Sequence, residues 1–166
     1  SIQQPKPNAQ LRLQYQEPKY KQVPDAFPFG FEYNDLVELK SIAKKAPDLY
    51  YPKMKATLYL SYVGVENNID SLLNDAYQLP RKHMIKAQEI PERIFIAPEK
   101  RVYGTLFTVV GNAASQLQFF LTDSIDHFLV GSLYFHSRPN YDSIMPAAKY
   151  VERDVMHLME TLFWKN

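Results

Sequence analysis

The spacing of apolar side chains changes period several times along the chain. Phe27, Phe29, Phe31 and Tyr33 fall on one side of an extended segment, with Gly30 and Glu32 on the other. A period of two is that of a half-buried strand. Leu36–Ile42 reads as a second short strand, entered through a turn at Asn34-Asp35. In Thr57–Val63, Leu58, Leu60 and Tyr62 face one way, and Thr57, Tyr59 and Ser61 the other. Ile69, Leu72, Leu73, Ala76 and Leu79 then follow helical spacing, with Asn68 placed as an N-cap. Pro80 interrupts the pattern, and a kinked continuation is expected over Arg81–Ala87.

Strands resume after Pro91, over Arg93–Ile96, Val102–Val110, Gln116–Thr122 and Phe128–His136. The joints between them, Pro98–Lys100, Gly111-Asn112 and Asp123–Asp126, are short, and short joints imply antiparallel neighbours. The last element is the plainest. Ile144, Ala148, Val151, Val155, Leu158, Met159 and Leu162 form an apolar stripe, with Lys149, Glu152, Arg153 and Glu160 off it. Pro146 is expected in its first turn, and Trp164 is expected to close the helix against the sheet. Strands, helix, strands, helix predict an α+β fold: a mostly antiparallel sheet with flanking helices.

The leading residues differ. Pro5, Pro7, Pro18 and Pro24 alternate with glutamines, which disfavours helix and interior strand alike. Residues 1–24 read as a Pro/Gln-rich spacer partly laid against the domain, with a short edge strand through Leu11, Leu13 and Tyr15; residues 25–166 read as one globular domain. Composition then excludes whole classes. With no cysteine there is no disulfide scaffold, thiolate metal site or cysteine nucleophile. A net charge of +1 gives no electrostatic pull toward nucleic acid.

Candidate chemistry is sparse. Asp123, Asp126 and His127 crowd one turn and offer the alternative of a metal-dependent or hydrolytic enzyme, but aspartate between strands more often serves the turn itself. Ser115 lacks the Gly-x-Ser-x-Gly frame of a nucleophile elbow. His83 sits among Arg81, Lys82 and Lys86, a solvated face, and His136 follows a strand. No phosphate loop is present. The twelve Tyr and ten Phe lie mostly at alternating positions, so they are expected in the core rather than in a stacking platform. The expectation is a chain with no catalytic residue, no metal and no cofactor.

Several segments are more specific than these motifs: Tyr51–Tyr62 (YPKMKATLYLSY), His83–Ala87 (HMIKA), Pro98–Gly104 (PEKRVYG), Gly111–Phe135 and Pro139–Tyr150 (PNYDSIMPAAKY). With the opening PKPNAQLRLQYQEPKY, they resemble the GldD-type gliding-motility lipoproteins of Bacteroidetes over nearly the whole chain. The resemblance implies a lipid-anchored N-terminus ahead of this sequence, with residues 1–24 as spacer. It also implies a periplasm-facing place in the cell envelope and a supporting role in gliding and the linked type IX secretion machinery. Other components of that machinery are the implied partners, through protein–protein interaction. The element order is also similar to the Mog1/PsbP-like α/β/α sandwich. Hairpin ends are suited to recognition, so the expected partner-binding residues are Asn112, Ser115, Asp123 and His127.

Overall fold

Hairpin after hairpin, the chain builds one antiparallel seven-stranded sheet. The computed structural model describes residues 15–82, 84–137 and 140–166. The strands in chain order are β1 (Tyr20–Gln22), β2 (Phe29–Gly30), β3 (Glu32–Asn34), β4 (Glu38–Lys40), β5 (Asp48–Tyr51) and β6 (Ala56–Gly64). Helix α1 (Ile69–Lys82) follows, then β7 (Met84–Glu89), β8 (Glu92–Ala97), β9 (Val102–Thr108), β10 (Val110–Ala113), β11 (Leu117–Thr122) and β12 (His127–Phe135). Helix α2 (Tyr141–Thr161) and β13 (Phe163–Trp164) end the chain. The sheet order is β4-β5-β6-β12-β11-β9-β8, which leaves β8 at an edge.

The alternating strands feed two cores. Leu58, Leu60, Leu106, Phe119, Leu121, Leu129 and Leu133 point to one face, where they pack against Val151, Val155, Leu158 and Met159 of α2 and against Phe27, Phe29 and Phe31. Phe107, Phe120 and Phe128 point to the other face, beneath Ala76 and the half-buried Leu72, Leu73 and Tyr77 of α1. Each fully buried side chain of this size stabilises the fold by roughly 1.5–3 kcal/mol. The α+β class is as the sequence predicts, and the helices lie on opposite faces. Gly131 is opposite Phe119, whose ring occupies the space a Cβ would need.

Several boundaries differ from the sequence reading, each for a local reason. Phe27, Phe29, Phe31 and Tyr33 are all buried, but the segment splits into β2 and β3. Strand β5 lies between Pro47 and Pro52, too short for its period to be read. Pro80 sits inside α1, which ends at Lys82; the chain then turns to strand β7 and not to a helical continuation over Arg81–Ala87. Asn68 does not cap α1 through its side chain, which accepts the upstream Glu66 N–H at 2.8 Å.

Gly111 and Asn112 are strand residues, not a turn. They belong to β10, which pairs with β7 through two register shifts, and Gly111 has a φ of 110°. Together β7–β8 and β9–β10 make one long ribbon, kinked at Pro91 and Val109, where Thr108 N–H donates to Pro91 O at 3.1 Å. In α2 the cap is Asn140, whose side chain accepts the Ser143 N–H, so Pro146 falls beyond the first turn. Leu11, Leu13 and His83 lie outside the described residues.

Candidate functional site

Two polar clusters stand out against this apolar frame. The first is the β11–β12 turn. Asp123 Oδ1 accepts the N–H groups of Ile125, Asp126 and His127 at 3.0, 2.9 and 2.9 Å. Ser124, at φ 71°, is held in the left-handed conformation within that turn. Burial pushes the Asp123 carboxyl up, but the three backbone donors and the nearby His127 prevail and hold it below the usual carboxylate range. One oxygen carries the whole turn, so Asp123 supplies turn chemistry.

His127 faces a different set of partners. Its Nδ1 lies 2.7 Å from the Tyr62 hydroxyl, and its ring is stacked on Trp164 at 4.8 Å and 3°. Trp164 donates from Nε1 to Arg101 O at 3.0 Å and pairs through β13 with β2. The indole thus closes over the end of the sheet, on the core that α2 and the sheet share. Among the described residues no group of three His, Asp or Glu is placed to hold a metal ion. The Asp123, Asp126 and His127 side chains therefore form no such group.

Asn112 and Ser115 are at the other end of β11. Ser115 is buried and donates to Leu117 O at 3.2 Å, while Asn112 is exposed on the ribbon. A strand of this length places the two ends about 17 Å apart or more, so Asn112 and Ser115 do not adjoin Asp123 and His127. A cleft of about 270 Å³ between α2 and the ribbon kink is lined by Arg93, Gln116, Lys149 and Glu152, and by none of those four. Arg93 and Glu152 pair across it at 3.8 Å.

The second cluster was not anticipated from the sequence. Asp154 sits on the buried side of α2 with 5% of its surface exposed. It accepts from the Tyr20 and Tyr51 hydroxyls, each at 2.7 Å, and from Asn34 Nδ2 at 3.1 Å. Asn34 Nδ2 also donates to the Tyr150 hydroxyl at 2.9 Å, and Tyr150 donates onward to Gln16 O at 2.9 Å. The Tyr20 ring lies on His157 at 3.5 Å and 12°, and His157 Nε2 is 2.7 Å from Glu32 Oε1. Burial raises the Asp154 carboxyl, and its three donors and Arg153 offset only part of the rise. Tyr51, buried beside that carboxylate, is raised for the same reason and by the carboxylate itself.

This cluster ties the leading segment to the domain. Tyr15 stacks on Tyr150 at 5.3 Å, and Glu17 pairs with Arg153 at 2.7 Å. A readable signal existed: position 154 falls on the same helical arc as Val151, Val155 and Leu158, where a carboxylate needs buried donors. Those donors come from residues 20, 34 and 51, too distant in sequence to be inferred.

The class defined by these features is an α+β sandwich, helices on both faces of an antiparallel sheet, with a leading strap bound along one helix. The chain belongs to the gliding motility lipoprotein GldD family, whose family model matches residues 1–164. Membership associates it with gliding motility and with a membrane-anchored place in the cell envelope. No curated protein and no solved structure matches the chain. Among the described residues no helix is long and apolar enough to cross a membrane.

Proposed function

We propose that the chain is a non-enzymatic, periplasm-facing lipoprotein domain that supports gliding and the linked type IX secretion machinery by holding another component of it. The observation that carries this reading is the edge strand β8. Ile94 and Ile96 alternate on it at 69% and 64% exposure, beside a backbone edge with no neighbouring strand among the described residues. An open edge flanked by aliphatic side chains is suited to adding an extended strand from a partner with apolar residues at alternate positions. Asn112, on the ribbon, and His127, beside Trp164, are secondary contact candidates.

The test is photocrosslinking in native envelopes, with the crosslinker at Ile94 and, as control, at Met145 on α2. Capture of motility or secretion components from position 94 but not from 145 is the expected result. Stoichiometric capture from neither position, in envelopes where the domain is folded, sinks the reading. An Ile94→Lys variant is expected to lose capture with its melting temperature nearly unchanged.

A further inference from the structure

We propose that Tyr15–Gln22 is a latch that lifts from α2 as one unit while the seven-stranded sheet stays closed, lengthening the spacer and uncovering Asp154. Three observations carry this. The strap buries little: Gln16, Glu17, Lys19, Lys21 and Gln22 are exposed, and its side-chain holds are the rings of Tyr15 and Tyr20, the Tyr20 hydroxyl on Asp154 and the exposed Glu17–Arg153 pair. Segments with few buried apolar contacts open locally well before the whole fold does. Its backbone pairs with β3 and, through Lys19 O, with the Asp35 N–H, both outside the seven-stranded sheet, with one further bond from the Tyr150 hydroxyl to Gln16 O; the buried Val23 marks where the firm anchorage begins.

The third observation concerns what is left behind. With the strap lifted, Asp154 keeps the Tyr51 hydroxyl at 2.7 Å and Asn34 Nδ2 at 3.1 Å, and His157 keeps Glu32 at 2.7 Å. Arg153 loses Glu17 but is itself exposed to water, and the buried Asp154 keeps two donors, so the open state leaves no buried charge unpaired. Freed, the eight residues extend the tether by about 27 Å at the usual strand rise. That gain in reach rests on the tethered reading above; the lifting itself does not.

Hydrogen exchange on the full chain tests it. The Lys21 amide, in a hydrogen-bonded pair with Tyr33, is expected to exchange at least tenfold faster than those of Phe119–Leu121 and Leu129–Val130. Tyr20→Ala is expected to speed strap exchange by a further tenfold, with the β11–β12 amides changed less than twofold, and to speed tryptic cutting after Lys19 and Lys21 in parallel. Strap and sheet amides shifting together in Tyr20→Ala, or a strap as protected as β12 in the unaltered chain, overturns the latch. Membrane fractionation of the lipidated protein tests the tether separately, and its failure leaves the exchange result standing.

Discussion

Asp123 and Asp154 are both buried, and each accepts three hydrogen bonds, yet burial and bonding resolve in opposite directions at the two sites. At the β11–β12 turn the donors are backbone N–H groups fixed by the chain itself, and the carboxyl is held low. On α2 they are two phenols and an amide in a drier setting, and the carboxyl is pushed up. The number of hydrogen bonds is therefore a poor guide to which way a buried carboxylate shifts. How much water is excluded, and whether the donors converge on one oxygen, decides it.

The comparison can be broken most forcefully at the turn. Asp123→Ala leaves three N–H groups without their acceptor and is expected to cost about 3 kcal/mol in urea unfolding, whereas Asp123→Asn keeps an acceptor oxygen and costs about 1. Asp154→Ala strands the buried Tyr51 hydroxyl and loosens Tyr20; a loss of about 2 kcal/mol is expected. A loss at Asp154 larger than that at Asp123 would mean that the strap cluster, not the turn, contributes more to the stability of the fold.

The pH profile sharpens the contrast with smaller effects. Asp123, whose folded value is lowered, contributes stability above its unfolded value of about 3.9 and loses it as pH falls through the folded one. Asp154, whose folded value is raised, contributes most below about 3.9 and loses that contribution as pH rises through its folded value. Urea midpoints measured from pH 3 to pH 7 are expected to fall less steeply toward acid in Asp123→Asn. In Asp154→Asn the opposing slope should vanish, so stability rises more steeply with pH than in the unaltered chain. The smallest effect is expected at Tyr62→Phe, where loss of one half-buried hydroxyl beside His127 costs about 0.5–1 kcal/mol.

What the sequence made legible follows from how locally each feature is encoded. The alternation of Leu58 and Leu60 with Tyr59 and Ser61 states the buried and exposed faces of β6, and the structure places them so. The α2 stripe is equally local, since its apolar residues repeat within one element. The ribbon was illegible because Gly111-Asn112 carries turn chemistry, yet here that freedom serves an irregular strand. Ser115 and Asp123 carried a chemical suggestion through residue type alone; burial within their own turns is a property of the folded neighbourhood. The strap cluster was hidden for the opposite reason. Its chemistry is plain once assembled, but it joins residues 20, 34, 51 and 154, and one sequence does not state such pairings.

Strand β13 also has a meaning in the order of folding. Phe163 and Trp164 pair with Gly30 and Phe29, and the Phe163 ring fills the space above Gly30. The layer that begins at Phe29 therefore finds its partner strand only at Phe163 and Trp164. Contacts this far apart in sequence form late. Helix α1 and the central hairpins can close from nearby residues, but the lid over Phe29 and His127 waits for residues far along the chain.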